Sequence, residues 1–449
     1  MDYGRRSKYK FFHSAASAKK NFNLISCIKD GDGNEVEEQN QIEDVFIQFF
    51  KQKWGERSCL LAGWPLNQYT LDTEDRNLLC KNFSIEEVEM AIKESTGFIA
   101  PGEDGITYSF LKNYWPILKV KVWTAMQMFF STTSMNEKWK KTMILLILKI
   151  NNPKFAHNYR PISLCNTVYK VIGKVLLNRL YEVIPKLISI EQAAFIKGRS
   201  IQEHILIARE LFHKFKHSRA AKGLVSIKLD MEQAYDSMGW PSLNKVMQYF
   251  GFPNLFSKLI MECVQNPTFS ILINGKPTNC TNAKCGFRQG CPLSPYLFIL
   301  CSQLLSNAII RKESFGVWIS HNSPRITHLL YADDVIFFAE AKISNVKVIK
   351  SIINNYCSWT GQSINSSKSR ILFGKATSRW IKRKIKGIMG YKEVKEFSYL
   401  GAKMTVRKSS KMDFQFILDK ILLKLNSWGT KFISFFGKIT LVRSVILSL

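Results

Sequence analysis

Apolar residues recur along the chain with two periods, and the change of period marks out its elements. In IEDVFIQFFKQKW, Val45, Phe46, Phe49 and Phe50 fall at helical spacing, which predicts an amphipathic helix behind a turn at KDGDGNE. TMILLILKI reads as a strand, and a loop follows through NNPKFAHNYRPIS, where Pro153 and Pro161 forbid a continuous helix. After a polar Asn166-Thr167 start, apolar residues at 168, 171, 172, 175, 176 and 180 predict another helix, with Lys170, Lys174 and Arg179 on its charged face. From Gly223 to about Met404, short apolar strands alternate with helical patterns, which argues for an α/β layer. Near the end, Phe414, Ile417, Leu418, Ile421, Leu422, Leu425 and Trp428 follow helical spacing, and simple core packing accounts for that stripe. Lys420 and Lys424 share the helix, and the chain runs on into a further apolar segment, SVILSL.

The stretch HLLYADDVIFFAEA predicts a hairpin of two apolar strands with Asp333 and Asp334 at or beside the turn. An Asp-Asp turn alone is ordinary. A second apolar strand, LVSIKLD, also ends in an aspartate, Asp230, just before MEQAYD. If the two strands are neighbours in one sheet, three carboxylates converge and repel each other unless a cation lies among them. Oxygen ligands of this kind suit Mg2+, which takes a few carboxylates plus substrate phosphates. Two such ions about 4 Å apart can activate an attacking hydroxyl and steady a leaving pyrophosphate without any nucleophilic side chain.

Composition narrows the partner. Length suggests two to three domains or one multi-lobed unit, and 46% hydrophobic with 12% aromatic residues belongs to a folded chain. The formal charge is +29, from 64 Lys and Arg against 35 Asp and Glu. From Ala341 to Leu449 there are 22 basic and 4 acidic residues, so the excess is concentrated in the last quarter. This points to a polyanion, either nucleic acid or an anionic membrane surface. The membrane reading rests on the basic C-terminal helix alone. No apolar run approaches the roughly 18 residues of a spanning helix, MILLILKI being closed by Lys149. The start, MDYGRRSKYKFFHSAASAKK, lacks the apolar core of a secretory signal, so an intracellular protein is expected. Ten cysteines without a C-x-x-C pair indicate reduced thiols, and the loose group Cys280, Cys285 and Cys291 matches no common metal spacing.

The words PGEDGI, NYRPISLCNTVYKVIGKVLLNRL, IEQAAFIKGRSI, LDMEQAYD, GFRQGCPLSPYLFIL, YADD, GQSINSSKS, YLG and FFGKITLVRSVILS stand in the order seen in LINE-type, non-LTR retrotransposon reverse transcriptases. Together they resemble that family, especially its plant members, over roughly Lys8 to the end. The resemblance implies an α+β right-hand polymerase: an extension at 1–95, fingers at 96–222, a palm of split βαβ antiparallel sheet with helices behind at 223–404, and a partial basic helical thumb at 405–449. It implies two Mg2+ ions, or Mn2+, and as partners an RNA template, a DNA primer and dNTPs, in the nucleus or cytoplasm. By motif position Asp230, Asp333 and Asp334 would be catalytic and hold the metals, with the Met231 carbonyl contributing. Tyr235 matches the aromatic gate against a ribose 2′-OH, and Gln289 and Gly290 match the loop under the nascent base pair. Lys149 and Arg160 match residues that grip the triphosphate, and Lys368 matches a basic residue that protonates pyrophosphate. Arg199 matches a template-handling position, and Lys420 and Lys424 would follow the duplex backbone.

Three positions depart from the family pattern: Ala194 stands where Gly is usual, Gln233 where Lys is usual, and Cys291 where Asp is usual. The family's N-terminal endonuclease is not among these residues, nor is a complete thumb or a C-terminal cysteine-rich motif. A truncated element is therefore expected, and the alternative function is a remnant that binds nucleic acid without polymerising.

Overall fold

The change of period near Gly223 is visible in the architecture. The computed structural model describes residues 23–97, 99–218, 223–310, 315–320, 323–408, 410–427 and 435–442. The N-terminal twenty residues, Trp428 and SVILSL lie outside that set, as does the side chain of Lys424. The strands that carry the fold are β1 (Thr142–Leu148), β2 (Tyr159–Cys165), β3 (Leu224–Leu229), β4 (Thr268–Ile273), β5 (His328–Tyr331), β6 (Asp334–Glu340), β7 (Arg370–Phe373) and β8 (Lys392–Glu393).

One sheet has the order β5-β6-β3-β7-β8, antiparallel except for the β7–β8 pair. Its central strands read as near-continuous apolar runs because both faces are covered. Val225, Ile227, Leu229, Val335, Phe337 and Ile371 join the main core, which includes the Ser294–Ile310 and Ile343–Thr360 helices. Ile336, Phe338 and Leu372 face a smaller cluster with Leu211, Phe212 and Phe215 of the Ile201–His217 helix and Tyr399 and Met404 of a following hairpin. The Ser294–Ile310 helix is apolar nearly all round, as a helix buried behind a sheet must be.

A second sheet runs β2-β1-β4, with β1 antiparallel to β2 and parallel to β4. It takes strands from both sides of the boundary expected at residue 223. The Gln39–Lys53 helix buries Ile42, Phe46 and Phe50 in the main core, so the N-terminal region is packed into the body.

Three sequence expectations are corrected. The second half of the loop read through NNPKFAHNYRPIS is strand β2, which accommodates Pro161 because it is an edge strand. The charged face of the Thr167–Leu187 helix is not solvated: Lys170 is buried and donates to the Ala100 carbonyl, while Arg179 is buried against the Phe83 ring and bonded to Glu87. The stripe read as core in the Gln415–Ser427 helix is open, with Leu418 52% and Leu422 54% exposed. Periodicity identified these helices but could not say what covers each face.

His328, which opens β5, is fully buried between the hydroxyls of Ser306 and Thr327 at 2.9 and 2.8 Å. Burial holds its pKa down at about 4, so the folded protein keeps it neutral. The unfolded chain takes up that proton first, near 6.5, and stability therefore falls as pH drops from about 6.5 towards 4, by roughly 3 kcal/mol. Thermal unfolding across that window is expected to show this loss, and His328→Asn should flatten it whatever its effect at neutral pH.

Candidate active site

Register builds the site. Tyr331 pairs with Asp334 as the last rung between β5 and β6, leaving Ala332 and Asp333 as a two-residue turn with Ala332 at φ 55°. A positive φ at the first turn position matches the twist a tight hairpin requires. Val335 pairs with Leu229, which sets Asp230 at the end of β3 beside Asp334. The segment 363–369 holds Asp230 from the other side. The Asp230 N–H donates to Ser369 Oγ at 3.1 Å, its carbonyl accepts from the Asn365 N–H at 2.8 Å, and the Glu232 N–H donates to the Ser363 carbonyl at 2.9 Å. Met231 thus faces Ile364 as a non-hydrogen-bonded antiparallel pair. That geometry turns the Met231 carbonyl away from Ile364, towards the hairpin.

The carboxylates are electrostatically coupled but not equivalent. Asp333 is exposed at the turn, yet lost water, and then the charges of Asp334 and Asp230, hold its pKa above the ordinary value. Asp230, half-buried, is raised by lost water and by Asp334, partly offset by Lys368 and Lys228. Asp334 has a cation of its own, Lys228 Nζ at 3.0 Å. The structure therefore brings Asp230 and Asp333 together and ties Asp334 to a lysine, instead of converging three free acids. Among the described residues no three His, Cys, Asp or Glu side chains form a ready metal cage. The donor set nonetheless fits Mg2+, which needs one or two carboxylates and completes its shell with phosphates and water. A cation at the pair would offset the lost water and the Asp334 charge that raise both acids.

Around this pair lie several of the other predicted residues. Tyr235 stacks on Phe298 with ring centroids 4.6 Å apart, and burial together with the Asp333 charge pushes its hydroxyl pKa up. Lys149 donates to the His157 carbonyl at 2.8 Å, and burial and then the charge of Lys53 lower its pKa, with smaller contributions from Arg160 and Lys368. Lys368 in turn acts on Asp230, so Lys149, Arg160 and Lys368 form one positive group beside the acids.

Gln289 bonds the Asp236 carboxylate at 3.1 Å, and its carbonyl accepts from the Ser163 N–H at 2.7 Å. Asp236 is also paired with Lys53 at 2.8 Å, both side chains being buried. Sequence reading missed this pair. Asp236 was quoted as the last residue of MEQAYD without a role, and nothing local marks Lys53, which reaches the site from the end of the Gln39–Lys53 helix. Gly290 has φ 123°, and a Cβ there would lie 2.6 Å from the Ser163 carbonyl oxygen. Gly290→Ala is expected to displace the loop and lower the thermal midpoint, as thermal unfolding would report.

Other predicted residues stand elsewhere. Arg199 donates to the carbonyls of Ile188 (2.8 Å), Ser189 and Gln192, and so braces its own loop. Lys420 lies over the Phe416 ring at 5.6 Å on the exposed Gln415–Ser427 helix, and Lys424 follows on the same helix. Of the departures, Ala194 is buried, Gln233 sits at φ 52° in the turn after Asp230, and Cys291 is buried with its sulfur 3.3 Å from the Tyr169 hydroxyl.

A family model described as reverse transcriptase (RNA-dependent DNA polymerase) matches residues 147–404, which include every residue gathered around the acids except Lys53. The chain is 24% identical over its whole length to the transposon TX1 uncharacterized 149 kDa protein of Xenopus laevis, covering 34% of that protein. It is 23% identical to the Pol polyprotein of the type-1 retrotransposable element R2 of Popillia japonica, over 63% of this chain and 38% of the relative. It is 24% identical to the probable RNA-directed DNA polymerase from transposon BS of Drosophila melanogaster, over 51% of this chain and 26% of the relative. The chain thus spans about a third of the length of these relatives. On the family match over more than half its residues, and on the motifs around the acids, the chain belongs to the reverse transcriptase (RNA-dependent DNA polymerase) family.

Proposed function

We propose that this chain is the polymerase portion of a non-LTR retroelement reverse transcriptase of plant-like type, extending a DNA primer with dNTPs on an RNA template. The observation that carries the reading is the Asp230–Asp333 pair, both acids raised first by lost water and then by the Asp334 charge, with Tyr235, Gln289, Gly290, Lys149 and Arg160 around them. The sheet bearing the acids acts as the palm, the β1–β2 region as part of the fingers, and the Gln415–Ser427 helix as the start of a thumb. Two Mg2+ ions held by Asp230, Asp333 and the Met231 carbonyl would activate the primer hydroxyl and neutralise the leaving pyrophosphate. Asp334, paired with Lys228, fixes the hairpin and tunes the charge of its neighbour. Lys149 and Arg160 grip the triphosphate as a point charge and a forked donor. Lys368, exposed beside Asp230, hands a proton to the departing pyrophosphate.

Tyr235 occupies the space a ribose 2′-OH would need. Tyr235→Val is expected to admit ribonucleotides while leaving dNTP addition within about tenfold of the parent, measured by competing dNTP and rNTP incorporation. The second reading, a binding remnant, is favoured by one observation: Arg288, next to Gln289, has no counter-ion among the described residues. Mg2+-dependent tightening of dNTP binding supports the polymerase. Nucleic-acid binding with no metal-dependent dNTP binding supports the remnant.

A further inference from the structure

Helix Arg379–Met389, RWIKRKIKGIM, crosses from β7 to the parallel edge strand β8. It runs from the end of the sheet remote from the acids, near Phe373, back to the end near Arg370, which pairs with Lys228. Its inner face is apolar, with Ile385 and Met389 buried. Lys382 and Lys386 share the Glu393 carboxylate as a partner, at 3.2 and 2.9 Å. The outer face is different. Arg379, Trp380, Arg383, Lys384 and Gly387 are exposed there, Trp380 by 61%. No carboxylate among the described residues pairs with Arg379, Arg383 or Lys384.

Gly387 adds an independent sign. It lies inside the helix, where glycine is less stable than alanine. Yet a Cβ there would meet nothing within 4 Å, and its φ is not positive. Nothing within the fold requires a missing side chain at this position, whereas a ligand lying closely along the outer face would.

We propose that this outer face is a docking surface for single-stranded RNA that runs along the outside of the sheet's helical layer; the inference rests on the polymerase reading for the strand it holds. Arg379, Arg383 and Lys384 meet phosphates, Trp380 stacks on an unpaired base, and Gly387 lets the strand lie against the helix. A duplex keeps its bases stacked internally and would leave the tryptophan without a ring to face. A membrane would need the apolar face of the helix, which the protein already covers.

The test is equilibrium binding of a labelled single-stranded RNA oligonucleotide to the full chain across a salt series. Trp380→Ala should weaken binding about tenfold. Arg383→Gln with Lys384→Gln should reduce the slope of log affinity against log salt by about 1.4. Gly387→Gln should raise the thermal midpoint and still weaken RNA binding, a combination a purely structural role does not produce. Unchanged affinity and slope in all three variants overturns the proposal, as does an equal loss towards duplex DNA or anionic vesicles. Extension of a short primed template by the parent, with RNA binding unmoved by the variants, overturns this surface alone. RNA binding that responds to the variants in a protein that extends no primer overturns the polymerase reading alone.

Discussion

Replacing Asp333 with asparagine is expected to abolish nucleotide addition and, without metal, to raise the thermal midpoint. The two effects have one origin. Loss of water and the charges of Asp334 and Asp230 raise the Asp333 carboxyl above its ordinary pKa. A carboxyl raised in the folded state binds its proton more tightly there than in the unfolded chain. Stability therefore falls as pH rises from the unfolded value through the folded one, and the ionised group is a net liability at neutral pH. Asparagine removes the charge while keeping the shape. It also removes a hard oxygen ligand, and activity should drop about 10³-fold or more, consistent with several kcal/mol of transition-state stabilisation. Asp230→Asn should act in the same direction on both readouts, since lost water and Asp334 raise it too. Asp334→Asn should differ: it leaves Lys228 without its partner and gives no stabilisation. Thermal unfolding in chelator, set beside single-turnover extension, separates these outcomes. Destabilisation by Asp333→Asn without metal would contradict the electrostatic account.

The second large effect concerns Arg288. Its guanidinium is buried, stacked 4.3 Å from the Tyr169 ring centroid, and none of its three nitrogens has a hydrogen-bond partner among the described residues. The nearby acids are weak ones. Burial holds the Cys165 thiol up at about 11 and the Tyr169 hydroxyl well above its ordinary value, so at neutral pH neither offers an anion. Cys291, whose sulfur touches the Tyr169 hydroxyl, stands where the resemblance has an aspartate. A buried charge without a partner costs several kcal/mol. Arg288→Met is therefore expected to stabilise the protein by about 2 kcal/mol, because it removes the burden and keeps the volume. In a Cys291→Asp background the sign reverses: the new carboxylate pairs with Arg288, and Arg288→Met then costs about 3 kcal/mol. Gln289 and Gly290 lie between the two positions, so Cys291→Asp should also tighten dNTP binding. Additive substitutions, with Arg288→Met destabilising in both backgrounds, would show that Arg288 already has its counter-charge.

Much of this site was legible in the sequence because it is local. A two-residue turn between apolar runs fixes Asp333, and an apolar run ending in an acid fixes Asp230; the pleat and the Val335–Leu229 rung do the rest. Gly290 was legible as part of the loop that the resemblance places under the nascent base pair, but not its closeness to the Ser163 carbonyl. Long-range pairings could not be read. Lys53 meets Asp236 only through the docking of an N-terminal helix, and Arg199 looks like a surface arginine until its loop folds back on it. Lys228 was read as part of a strand, yet it decides that Asp334 is the neutralised member of the three. Apolar periodicity likewise identified the Gln415–Ser427 helix but not its exposed stripe, since a period says which residues share a face and not what covers it.

Single-turnover extension of a labelled DNA primer on an RNA template, with Mg2+ titrated against the parent chain and its Asp230→Asn and Asp333→Asn variants, tests the central claim most directly. Metal-dependent catalysis at the Asp230–Asp333 pair gives dNTP addition that follows the template sequence, rises with Mg2+, and disappears in both variants while their template binding and thermal stability persist. A folded parent chain that binds the primed template and adds no nucleotide at any Mg2+ concentration would contradict it, as would addition that survives loss of either aspartate.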